Sequence, residues 1–182
     1  MYGYNEIIDI LLPLFVREDE LLYAFENVHF DANLFKQICS MLPNISNETL
    51  VKLIIKCCRA SDVEIFEYLL DRYGKDVLKF IDVEGDNLIT YCSSPLIIKI
   101  LLANGVNVNH QNNEGETPLH YMVERNDEEL VKLLLDYGAD KNIKNNNNMT
   151  SLDAAYDYNH YEVVDILENY DDCLNTKEPG IL

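Results

Sequence analysis

Asn112-Asn113-Glu114-Gly115-Glu116-Thr117-Pro118-Leu119-His120 opens the stretch that decides the fold. It continues through Asp127-Glu128-Glu129-Leu130-Val131-Lys132-Leu133-Leu134-Leu135 to Gly138-Ala139-Asp140. Thr117 is a good N-cap, because its hydroxyl can accept a first-turn N–H. Pro118 follows at the first helical position, where the missing N–H costs nothing. The pattern predicts a short helix from Pro118 to about Glu124. Asn126-Asp127 breaks it, and Asp127 can cap a second helix whose positive end Glu128 and Glu129 favour. Leu130, Val131, Leu134 and Leu135 then form an apolar stripe at helical spacing. Gly138 ends that helix in the left-handed conformation that suits glycine.

Working outward, the unit recurs. After 33 residues Asn145 stands for Asn112, Asn148 for Gly115, Thr150 for Thr117 and Leu152 for Leu119. Glu162-Val163-Val164 and Ile166-Leu167 repeat the second helix. Asn148 takes the glycine slot of the hairpin turn, where Asn is tolerated because it can adopt the left-handed conformation. Upstream, Asp82-Val83-Glu84-Gly85 matches the opening, and Ile97 to Leu102 matches Leu130 to Leu135. That copy is three residues short near Ser93-Ser94-Pro95, so its first helix should be truncated. A weaker copy runs from Glu64 to Gly74 without a recognisable hairpin; the first helix of that pair is expected from Asn47 to Cys58.

A 33-residue period with Thr117-Pro118-Leu119-His120 and Gly138-Ala139-Asp140 resembles the ankyrin repeat, whose signature is T-P-L-H-x-A. The likeness spans about residues 47–170 and is strongest over 112–144. Met122 stands where the family prefers Ala, and Ser151 and Asp153 replace the Pro and His in the last copy. The resemblance implies an all-α ankyrin-repeat solenoid of stacked helix pairs with an N-terminal helical cap. The expected organisation is a cap over 1–45, repeats at about 46–81, 82–111, 112–144 and 145–170, and an acidic frayed tail over 171–182. Each helix pair alone leaves one face unburied, so stacking is required. The array should end at the last copy, because Glu168 replaces Leu135 and Asp171-Asp172 replace Gly138-Ala139, turning the far face polar. In the first 45 residues, helices are expected over Asn5–Val16, Glu18–Val28 and Asp31–Leu42, with Leu21, Leu22, Phe25, Leu34, Phe35 and Ile38 on the packing face.

Composition narrows the function. The 182 residues carry 32 acidic and 14 basic side chains, a formal charge of −18. Such a surface repels phosphate backbones and anionic lipid heads, so neither nucleic acid nor a membrane is expected as partner. The apolar run from Ile7 to Val16 is far short of the roughly 20 residues that cross a bilayer. Glu6 and Asp9 precede any Lys or Arg, so no secretory signal is expected. Five cysteines, an odd number without regular spacing, fit a reducing compartment and a cytoplasmic setting rather than a disulfide framework. No disulfide, metal or cofactor is expected. His29, His110, His120 and His160 lack a second ligand at zinc spacing. Phosphate loops and nucleophile elbows are absent, so the chain is not expected to be an enzyme. His120 belongs to the repeat signature, and the resemblance implies that it bonds neighbouring backbone; His110 is expected on an exposed hairpin.

The resemblance implies a protein-interaction module that acts as a monomer and binds a protein partner through hairpin tips and the inward side of the first helices. The tips would be Val83, Glu84 and Asp86; Asn113, Glu114 and Glu116; and Asn146, Asn147 and Met149. The helix positions would be Glu124 and Arg125, then Asp157 and Tyr158. Their carboxylates favour a partner with a basic patch, and Tyr158 is the best single anchor. Asn146, read as a free tip, should tolerate Ala with little change. The alternative is an adaptor or enzyme subunit whose activity resides in the N-terminal helical segment.

Overall fold

The computed structural model describes residues 32–41 and 44–175. The helices expected over Asn5–Val16 and Glu18–Val28 lie outside them. Among the described residues the secondary structure is helical, with one isolated antiparallel bridge between Ile81 and Asn87. The chain divides into two compact units, one ending at Val77 and one beginning at Leu78.

The first unit contains α1 (Ala32–Met41), α2 (Asn47–Ala60) and α3 (Val63–Tyr73). The Ser46 hydroxyl caps α2 by accepting from the Thr49 N–H, and Asp62 caps α3 through the Ile65 N–H at 3.0 Å. The two helices meet through buried faces, Leu50, Leu53, Ile54 and Cys57 on α2 and Ile65, Phe66 and Leu69 on α3. Phe35 and Ile38 of α1 are buried as expected. Phe35 packs edge to face on Tyr68 of α3, while Arg72 donates to the Cys39 carbonyl.

The second unit contains a 3-10 turn (Leu88–Tyr91), α4 (Pro95–Ala103), α5 (Pro118–Glu124), α6 (Glu128–Asp136), α7 (Ser151–Asp157) and α8 (Tyr161–Asn175). The boundaries of α5 coincide with those predicted from Thr117, Pro118 and Asn126. Asp127 caps α6 through the Leu130 N–H, the stripe Leu130, Val131, Leu134 and Leu135 is buried, and Gly138 has φ +86°. Consecutive first helices, α5 and α7, pack side by side, as do α6 and α8. The short copy shows where its missing residues went. Where α5 has seven residues, the 3-10 turn has four. A tighter turn still buries Leu88, Ile89 and Cys92, and Asn87 caps it through the Ile89 N–H.

These repeats form the all-α solenoid that the resemblance implied. One helix end differs from the expected boundary, and one helix pair differs in proportion from the later ones. Helix α8 runs to Asn175, past the expected start of the tail at 171. The α2–α3 pair opens on a helix of 14 residues, twice the length of α5, and lies in the first unit.

Candidate functional site

Three hairpins of one design project from the second unit. In the hairpin of 112–116, the Asn112 N–H donates to the Glu116 carbonyl and the Gly115 N–H to the Asn112 carbonyl. The Asn112 side-chain oxygen accepts from the N–H groups of Glu114 and Glu116, each at 2.9 Å. Asn145 builds the same turn with the N–H groups of Asn147 and Met149. Asp82 does so with the N–H of Asp86. The turn needs a left-handed residue at its fourth position, supplied by Gly85, Gly115 and Asn148.

The hairpins are laced to one another. The Asn113 N–H donates to the Glu84 carbonyl, and the Asn146 N–H donates to that of Glu114, at 2.9 and 2.8 Å. Side chains double each link: the Asn113 amide donates to the Val83 carbonyl, and the Asn146 amide donates to that of Asn113 at 3.0 Å. The approach is so close that a Cβ on Gly115 would lie 2.7 Å from the Asn146 side-chain oxygen. Asn146 is therefore not the free tip expected from its sequence position. Its Ala variant loses a side chain–backbone hydrogen bond and should cost about 0.5–1.5 kcal/mol.

Beneath the hairpins, His120 joins two repeats. It is 3 % exposed. The Thr117 N–H and hydroxyl converge on its Nδ1 at 3.2 and 2.9 Å. With Nδ1 accepting, Nε2 carries the proton and faces the Met149 carbonyl at 3.3 Å. Burial pushes its pKa down. In the last repeat Asp153 takes the same place with a carboxylate, accepting from the Thr150 N–H and hydroxyl at 2.8 and 2.7 Å. His110, expected on an exposed hairpin, is half-buried and lies 2.8 Å from the Gly85 carbonyl.

The proposed contact residues separate into two groups. Glu84, Asn113, Glu114, Asn146, Asn147, Glu124 and Asp157 are exposed. Val83 is 87 % exposed and Tyr158 50 %. Glu116 and Met149 are half-buried, and Glu116 accepts from the Asn145 amide at 3.3 Å. Asp86 does not fit the expectation of a tip. It is 8 % exposed, and its carboxylate accepts from the Tyr121 hydroxyl at 2.8 Å and the Asn112 amide at 2.9 Å. Arg125 is exposed, but its guanidinium is committed within the unit. It donates to the Cys92 carbonyl at 2.8 Å and to the Ser93 hydroxyl at 2.9 Å, beside the truncated first helix.

At the far end of the face, the His160 Nδ1 lies 2.9 Å from the Val123 carbonyl. The Tyr158 ring stacks on His160 with centroids 5.6 Å apart. Glu124, next to Val123, raises the pKa of the Tyr158 phenol, with smaller contributions from Glu116 and Asp157. Exposed aromatics that the periodicity did not single out also lie in the last two repeats: Tyr137, Tyr156 and Tyr161. Among the described residues no group of three or more His, Cys, Asp or Glu side chains could hold a metal ion, and no helix is long and apolar enough to cross a membrane.

The family model for ankyrin repeats matches residues 88–177 in three copies. No curated protein matches the chain.

Proposed function

Residues 88–177 belong to the ankyrin repeat family, and on that premise we propose that the chain is a non-catalytic module that binds a protein partner across its hairpin tips and the inward ends of α5 and α7. Ankyrin repeats are in general protein–protein interaction modules. The observation that carries the reading here is the lacing of the three hairpins. Their turn and inter-hairpin bonds consume much of the backbone's hydrogen-bonding capacity, while the Val83, Glu84, Glu114 and Asn147 side chains face solvent. A fixed row of side chains loses little conformational entropy on binding. Cys39, Cys57, Cys58 and Cys92 are buried thiols, which supports a reducing, intracellular setting.

The test uses photo-crosslinking residues placed one at a time at Glu114, Asn147 and, as a control, Glu129 on the exposed face of α6. A partner captured from the first two positions and not from Glu129 bears the reading out. Capture from Glu129 alone, or loss of capture only when residues 1–45 are altered, overturns it.

A further inference from the structure

The ends of α5 and α7 differ from the hairpins in chemistry. Tyr158 is an exposed aromatic ring held from behind: it stacks on His160, which is in turn hydrogen-bonded to the Val123 carbonyl. That bond ties His160 to the end of α5, where Glu124 follows Val123. Asp157 precedes Tyr158 and occupies the repeat position of Glu124 on the neighbouring helix. Both carboxylates are exposed. The nearest cation in the repeat pattern is Arg125, the counterpart of Tyr158, and its guanidinium reaches away to Cys92 and Ser93. A half-exposed ring, braced by His160, thus lies within the electrostatic reach of two exposed carboxylates, and the neighbouring guanidinium is engaged elsewhere. That charge pattern complements a cationic side chain, which gains from the ring face and from the carboxylates together.

We propose that Tyr158, flanked by Glu124 and Asp157, receives an arginine or lysine side chain from an extended basic segment of the partner, the cation lying over the phenol ring. The inference rests on the reading of the array as a protein-binding module and gives that partner its chemistry. Because the carboxylates are exposed, attraction should fade as salt screens it. Arginine should be preferred to lysine, since its planar guanidinium can stack on the ring while its fork meets a carboxylate.

The test is an NMR titration of the full chain at low salt with two probes, acetyl-Gly-Arg-Gly-Arg-Gly-amide and the same peptide with Glu for Arg. The Arg peptide should shift the Tyr158 ring and Glu124 resonances saturably, and the Glu peptide should not. Tyr158→Ala should weaken the Arg peptide by about two- to fivefold, in the range of an exposed cation–π contact, and Glu124→Gln by up to about fivefold, in the range of an exposed ion pair. Glu129→Gln, which removes an equal charge from α6, should leave its affinity unchanged. Shifts spread evenly over all carboxylates, or wild-type affinity in both Tyr158→Ala and Glu124→Gln, would overturn the proposal. If crosslinking from Glu114 and Asn147 still captures a partner in that event, the binding reading stands and only the assignment of a cation to Tyr158 fails.

Discussion

The repeats of 112–144 and 145–175 have nearly the same backbone and opposite obligations. At equivalent positions the first has Val123 and Leu135, both buried, and the second has Tyr156 and Glu168, both exposed. The Tyr156 hydroxyl donates to the Glu168 carboxylate at 2.5 Å. An interior repeat must bury both of its faces, whereas a terminal one must offer water a polar face. Other equivalent positions stay buried in both copies: Met122 and Ala155 are each fully buried, as are Leu134 and Leu167. The chain thus turns some equivalent positions polar and exposed while keeping others apolar and buried.

The sharpest way to break this comparison is to exchange the edited residues. Leu135→Glu should cost about 3–5 kcal/mol, because it leaves a carboxylate buried without a partner. Glu168→Leu, its mirror image, should change urea stability by less than about 1 kcal/mol, since position 168 faces solvent. Equal costs would mean that the last repeat is covered as fully as the interior one. The unedited positions behave differently. Leu134→Ala and Leu167→Ala should each cost roughly 2–5 kcal/mol through the cavity they leave. A much smaller loss at Leu167 would show that the terminal repeat yields by local opening rather than with the whole unit.

The hairpins sharpen the comparison next. Gly115→Ala meets two penalties, a positive φ of +76° and a Cβ placed 2.7 Å from the Asn146 side chain. It should cost about 1–3 kcal/mol. Asn148→Gly relieves a left-handed non-glycine residue at the matching position of the last hairpin, and should be neutral or slightly stabilising. Thermal melts of both variants check the pair. A neutral Gly115→Ala would mean that the hairpins are not laced in solution.

How much of this was legible in the sequence follows from range. The caps, the stripe of α6 and the truncated first helix were all readable, because Thr117, Asp127 and the three-residue deficit act within a few positions of themselves. The lacing was not, since Asn146 finds its acceptor 33 residues away. Asp86 is the plainest case. It fills a tip slot by alignment and is buried by a Tyr121 that is 35 residues distant. Arg125 likewise reaches 33 residues back to Cys92. A faint signal existed for the lacing: Asn recurs immediately after the turn-forming Asn in both full copies, as Asn113 and Asn146.

The two capping boxes titrate in different windows. The pKa of His120 is depressed from its ordinary 6.5 because burial disfavours the cation. The unfolded chain therefore binds the proton more readily, and the stability this neutral imidazole contributes is present above pH 6.5 and lost as pH falls through the folded value. Asp153 is held below its ordinary 3.8 by the Thr150 N–H, so its contribution persists until well into acid. Urea midpoints measured from pH 7.5 to 5 should fall in the wild type, and fall less in His120→Asn, which can still accept from Thr117 but cannot titrate. An unchanged slope would assign the pH dependence to another histidine.

The smallest expected effect lies where the last repeat lacks the family's proline. Ser151 stands where the interior repeat has Pro118, and it is fully buried. Its hydroxyl has no hydrogen-bond partner, a cost the proline would not carry. The backbone already suits the exchange. Thr150 before it is extended at φ −82° and ψ 167°, close to the −100° and 164° of Thr117 before Pro118, and a residue preceding proline must be extended. The first helical position also loses no intrahelical bond when its N–H is removed. Ser151→Pro should therefore stabilise the chain by about 0.4–1 kcal/mol through the unfolded state, with a further gain from removing the unsatisfied hydroxyl. The opposing effect is bulk, because a proline ring is larger than the serine side chain, and overpacking costs about 1–3 kcal/mol where neighbours cannot give way. Since α7 begins the last described repeat, which is exposed at Tyr156 and Glu168, its neighbours have room to adjust, and the gain should prevail. A rise in melting temperature of a few degrees is the expected result. A fall would show that Ser151 was kept for its size, and that the last repeat packs on α5 more tightly than its interior counterpart requires.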